Sequence, residues 1–223
     1  AGVTFAWLSY VHSMEYLGTA GISLTYLNSG DIEKRGSTKE KAGHYQMNDI
    51  SVIIGYGREI LRETLAGGSV RLIHEAIDEE RATGIAIDIG VLHRLYFPRH
   101  RVNVGVAVQN IGPPMGPGET SPLPLLVRAG ISDKPWGEKL TLSGEVDYFI
   151  NSANLQGGLG AEFLLYEMLF FRAGYQFGRD FASGINGITL GFGIKYIEYI
   201  DYIFDYGVRR MGDLGFVHRI SVG

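Results

Sequence analysis

The sequence predicts an all-β protein, a single antiparallel β-barrel domain over residues 1–223 whose strands, about 12–14 of them, cross a membrane. Three observations lead there. Short segments place bulky apolar residues at every second position: Ile188, Leu190, Phe192, Ile194 and Tyr196 share one face, and Thr189, Gly191, Gly193 and Lys195 the other. Glycine supplies 32 of 223 residues, and it falls where a soluble barrel would need bulk inside, so the bulky face points outward into lipid. No run of about 18 uncharged apolar residues occurs, which leaves strands rather than helices to do the crossing.

The remaining composition agrees. A mean hydropathy of +0.05 is too low for a helical membrane protein but suits a barrel, where only every second residue meets lipid. Thirteen Tyr and eleven Phe suit rings seated at a membrane boundary. The net charge of −4 gives no basic footprint for nucleic acid. Cysteine is absent, which excludes disulfides, thiolate metal sites and Cys nucleophiles and fits export from a bacterial cell. Ala1 directly precedes a strand-like segment, so the chain reads as mature and as missing an N-terminal part.

In chain order, the first strand is expected over Val3–Tyr10, with Trp7 and Tyr10 as interfacial anchors, and the second over Ala20–Leu27. The polar tract Asn28–Asn48 has no apolar period and reads as a long loop. Strands resume at Ile50–Tyr56 and Leu65–Ile73, and Asp78-Glu79-Glu80 connects to Gly84–Leu92. Val102–Val108 repeats the alternation. Asn110–Pro122 holds four prolines and three glycines and must be loop. Seven further strands are expected at Leu123–Ile131, Leu140–Phe149, Leu155–Phe163, Leu169–Phe177, Ile188–Tyr196, Ile200–Tyr206 and Phe216–Val222. That makes about thirteen; because such barrels prefer an even number, one strand is expected to be absent or misread.

This alternation assigns Ile85, Ile87, Ile89, Val104, Val106, Leu190, Phe192 and Ile194 to the lipid. The other face collects Arg71, Asp88, Arg128, Glu145, Asp147, Glu162, Arg172, Lys195, Asp201, Asp205 and Arg219. Opposite charges fall on consecutive strands, where antiparallel neighbours bring them side by side. The expected pairs are Arg71 with Asp88, Arg128 with Glu145 and Asp147, Glu162 with Arg172, Lys195 with Asp201 and Asp205, and Asp205 with Arg219. An ion-paired lumen of mixed sign argues against a porin with a single-sign field.

No catalytic constellation, cofactor motif or metal motif is present. The six histidines are scattered without an HExxH. His218 is the one histidine suited to an outer-membrane lipid hydrolase, and nothing selects a serine for it. Gly55-Tyr56-Gly57 lacks the third glycine and the helix of a nucleotide loop. Asp78-Glu79-Glu80 reads as a solvated turn rather than a calcium site.

The closing stretch Gly212-Asp213-Leu214-Gly215-Phe216-Val217-His218-Arg219-Ile220-Ser221-Val222-Gly223 resembles the terminal signature of the PorV/PorQ outer-membrane barrels, which are similar to FadL-type channels. Leu24–Ile32, Ala86–Leu92, Val108–Pro113, Leu123-Pro124-Leu125 and Arg128-Ala129-Gly130 agree with the same family, so the likeness runs through most of the chain from Ala20. Its Asn-x-Gly loop maps to Asn110 and Gly112, its terminal His-Arg to His218 and Arg219. The resemblance implies a FadL-like barrel of about fourteen strands in the bacterial outer membrane, without enzymatic activity. It implies an accessory role in type IX-like protein secretion, with secretion components or secreted cargo as partners besides outer-membrane lipid. The wider relatives imply the alternative, a channel for hydrophobic small molecules. The family's signal peptide and lumen-filling N-terminal segment have no counterpart in residues 1–223, and the connection from Tyr10 to Thr19 is shorter than the family's.

Overall fold

Each segment with alternating bulk contains a β-strand, although the one expected from Leu123 begins only at Leu126, after Pro124. The computed structural model describes residues 3–35, 40–98, 100–178, 187–197, 201–210, 212 and 215–223. The strands are β1 (Thr4–Met14), β2 (Gly18–Asn28), β3 (Ile32–Arg35), β4 (Lys41–Tyr45), β5 (Met47–Leu61), β6 (Thr64–Ile77), β7 (Glu80–Tyr96) and β8 (Arg101–Ile111). They continue with β9 (Leu126–Asp133), β10 (Leu140–Phe149), β11 (Asn154–Leu165), β12 (Leu169–Phe177), β13 (Ile188–Ile197), β14 (Asp201–Arg210) and β15 (Phe216–Val222). A short 3-10 turn, Gly137–Lys139, precedes β10, and no described helix is long and apolar enough to cross a membrane.

Thirteen strands form one antiparallel sheet in chain order from β1 to β15, while β3 and β4 pair only with each other. The tract 28–48 is therefore a hairpin rather than the expected loop. Its strands are four and five residues long, too short to show a period. Side chains hold its base: Asn28 Nδ2 donates to Asn48 Oδ1 (2.6 Å), Gln46 Nε2 to Asp31 Oδ1 (2.8 Å) and the Met47 N–H to Ser29 Oγ (2.9 Å). Lys34 pairs with Asp78, and that hydrogen bond raises the lysine pKa.

Register shows how the faces are distributed. Opposite β1, Leu8 meets Leu24 and Tyr10 meets Ile22, whereas Trp7 meets Thr25. Trp7 thus lies on the face opposite to Tyr10, and its indole N–H donates to Ser23 Oγ (2.7 Å). The two rings differ in parity and stand on opposite faces of the sheet. The turn at residues 15–17 joins β1 directly to β2.

The chain divides into two compact units, Ala1–Val91 with Ala107–Leu126 and Leu92–Val106 with Val127–Gly223. Neither has an ordinary apolar core. The only buried hydrophobic residues among those described are Ala86, Met115 and Leu126, while dozens of large apolar side chains are exposed.

Candidate functional site

Along β7 the two faces separate cleanly. Ile85, Ile87, Ile89 and Val91 are exposed, Ile89 at 53%. Between them Gly84, Asp88 and Gly90 are partly covered and Ala86 is fully buried. β8 and β13 repeat the arrangement: Val104, Val106, Leu190 and Ile194 are exposed, Leu190 at 55%. Phe192 stands on the same side as Leu190 but is half-buried, its ring centroid 5.5 Å from that of Phe171. The small and polar residues of each strand therefore share a face, and the charged groups gather there.

In the first unit that face carries one compact network. Arg71 Nη2 lies 3.3 Å from Asp88 Oδ2, which also accepts from Ser69 Oγ (3.1 Å). Asp88 Oδ1 accepts the backbone N–H of Asn110 (2.7 Å). Asn110 has φ 61°, in the left-handed region that asparagine tolerates better than most residues. Its side chain is engaged at both ends: Oδ1 accepts from Arg71 Nη1 (3.2 Å), and Nδ2 donates to the Pro124 carbonyl (3.0 Å). The resemblance singled out Asn110 and Gly112 as motif residues; their place beside Arg71 and Asp88 was not foreseen. A Cβ at Gly112 would collide with the Ile85 carbonyl, so the chain after Asn110 runs hard against β7.

In the second unit the pairs form a ladder. Arg128 grips Asp147 with two bonds, Nε to Oδ1 (2.6 Å) and Nη2 to Oδ2 (2.7 Å), while Glu145 stands 3.9 Å from Arg128 Nε. Asp147 is only 6% exposed; a carboxylate that deep requires such a partner. Arg172 binds two carboxylates, Glu162 Oε2 (2.6 Å) and Asp205 Oδ1 (2.5 Å), and its guanidinium carbon sits 4.9 Å from the Phe170 ring centroid. Glu162 is directly opposite Arg172 on the adjoining strand.

Asp205 corrects the expectation of pairing only between consecutive strands. It belongs to β14 and Arg172 to β12, with β13 between them. The residues of β13 opposite Arg172 and Asp205 are Gly191 and Gly193. A Cβ at Gly193 would collide with Asp205 Oδ1 and come within 3.0 Å of Arg172 Nη1. The bare middle strand lets the two charges meet over it. Arg209 uses the same reach, with Nη1 donating to Gln176 of β12 (3.0 Å). In register, Lys195 stands opposite Ile203 and Arg219 opposite Gly207. The Asp201 side chain, Asp213 and Leu214 lie outside the described residues; Gly212 and Gly215 of the closing motif have φ 58° and 83°.

His218 shares a 2.6 Å bond between its Nδ1 and the Tyr206 hydroxyl. Ser221 points to the opposite face, in register with Asp205, so it does not meet His218. Among the described residues no group of three or more His, Cys, Asp or Glu side chains is arranged to hold a metal ion. Neither a protein-family model nor a curated protein matches the chain.

Proposed function

We propose that this chain is a membrane-spanning β-barrel of the bacterial outer membrane that serves as an accessory component of protein secretion. One observation supports the membrane reading above all others: bulky side chains are exposed on alternate positions of strand after strand, with almost nothing apolar buried. In water, contiguous apolar patches above a few hundred Å² are rare on monomers; in a bilayer such a band is what the solvent requires. Most of the main strands have at least the roughly 9–11 residues that a tilted crossing needs.

The secretion role rests on the resemblance to PorV/PorQ barrels and on the paired interior face of the second unit. Opposite charges bound to each other offer a solute neither a single-sign field nor an oily path. The barrel then acts as scaffold, and exposed connections such as the β3–β4 hairpin meet secretion components or cargo. A second reading, a FadL-like channel for hydrophobic small molecules, is favoured by the first unit. There the face that carries Arg71 and Asp88 also carries Phe5, Trp7, Leu27, Ile53 and Ile73.

Affinity isolation of the tagged chain from native outer membranes separates the two. Co-isolation of secretion components supports the accessory role; a barrel that comes away alone with bound hydrophobic solute supports the channel.

A further inference from the structure

The connection from β8 to β9, expected as loop over Asn110–Pro122, contains Met115, one of the few buried apolar residues among those described (7% exposed). Met115 lies over Gly84 so closely that a Cβ at 84 would collide with its Sδ. Its N–H and carbonyl both bond Ser121 at 2.9 Å, which closes residues 115–121 into a compact turn. Gly112 is pressed on the Ile85 carbonyl, and Leu126 at the far end is again buried. Asn110 redirects the chain and ties it to Asp88, Arg71 and the Pro124 carbonyl. A connection built only to meet partners would leave Met115 outside and the β7 face bare.

We infer that residues 112–125 are an internal strap that closes the passage along the small-residue face of the first unit, with Met115 as plug and Asn110 as clasp. The inference rests on the barrel reading, because only in a barrel does that face line a passage. Methionine suits a plug because it is unbranched and flexible and fills irregular gaps. An apolar constriction of this kind stops flow by excluding water.

The test uses the full chain in phospholipid vesicles, with arabinose-driven swelling as readout and heat-modifiable migration plus protease protection as measures of folded insertion. Met115→Gly, and a chain with residues 113–123 replaced by a shorter Gly-Ser linker, are expected to swell about tenfold faster than the parent. Should the shortened chain fail to fold, Met115→Gly decides, because it keeps the whole connection. The chain has no cysteine, so Gly84→Cys with Met115→Cys gives a reversible lock. The Met115 Cβ lies 3.2 Å from where a Cβ at 84 would stand, near the roughly 3.5–4.5 Å that a disulfide spans. Oxidised, this variant is expected to swell at the parent rate; reduced, at the faster rate. Strap variants that insert and fold but swell like the parent overturn the strap alone. A parent chain that never inserts overturns the barrel reading, and the strap with it.

Discussion

The two units solve the same problem with different parts. Each has a sheet face bearing charges that need partners. In the second unit the partners are other side chains, and the bonds run across strands: Arg128 to Asp147, Arg172 to Glu162 and Asp205. In the first unit the Arg71–Asp88 ion pair on that face is completed by a backbone N–H and an amide from Asn110, where the chain leaves the sheet. A ladder of side chains stiffens a wall. A network that ends on a connecting segment also positions that segment.

On that contrast, the largest loss comes from the deepest charge in the ladder. Asp147→Ala strands Arg128 beside Glu145 alone, and unfolding in denaturant is expected to register a loss of about 3 kcal/mol, at the low end for a buried pair because Arg128 is 40% exposed. Stability equal to the parent would mean that water already serves Arg128. Arg172→Ala, which leaves Glu162 and Asp205 without their shared cation, should lower the melting temperature by the equivalent of about 2 kcal/mol. A companion cycle isolates the reach over β13. Coupling between Arg172 and Asp205 is expected at roughly 1–2 kcal/mol in the parent and near zero in a Gly193→Ala background.

The first unit should respond differently. Asn110→Ala removes two side-chain bonds and sets a Cβ-bearing residue without local hydrogen bonding at a left-handed φ, for a loss of about 1–2 kcal/mol. Its distinguishing sign is local: amide exchange accelerates through residues 112–125 while β12–β14 keep their protection. Uniform acceleration throughout the chain would dissolve the distinction between clasp and ladder.

The smallest effect lies outside both networks, at the turn before β10. Lys134 hydrogen-bonds Glu138 and Arg101 lies 3.2 Å away, and the first of these holds the carboxyl below its usual range against an opposing contribution from burial. A carboxyl depressed on folding stabilises fully above its unfolded value, about 4.3, and that contribution disappears as pH falls through the lower folded value. Glu138 is exposed and Lys134 only partly covered, so it amounts to roughly a few tenths of a kcal/mol. In a Trp7→Phe chain, where Trp136 is the sole indole, fluorescence is expected to stay constant from pH 7 to about 5 and to change only in acid below about 4.3. A transition near neutrality would assign the signal to another group.

Much of this architecture can be read before any coordinates. The strands around Ile85–Val91, Val102–Val108 and Ile188–Tyr196 announce themselves because alternation is a local property of an extended backbone. Pairs between adjoining strands, such as Arg71 with Asp88 and Glu162 with Arg172, follow from the same logic. Two elements did not. The β3–β4 hairpin is held by amide and hydroxyl bonds at its base, which leave no hydrophobic period. Residues 112–125 are rich in proline and glycine, and that composition describes the turns without saying what they turn toward.

The sequence alone therefore determined which residues share a face and which face is oily, since each side chain's direction is set by its own place in an extended strand. Only the tertiary structure decided who meets whom beyond the adjoining strand. Arg172 reaches Asp205 because β13 carries no side chain between them, and Met115 packs on Gly84 because position 84 carries none. Both depend on register and on atoms that are missing two strands or thirty residues away, and no local pattern encodes an absence at that range.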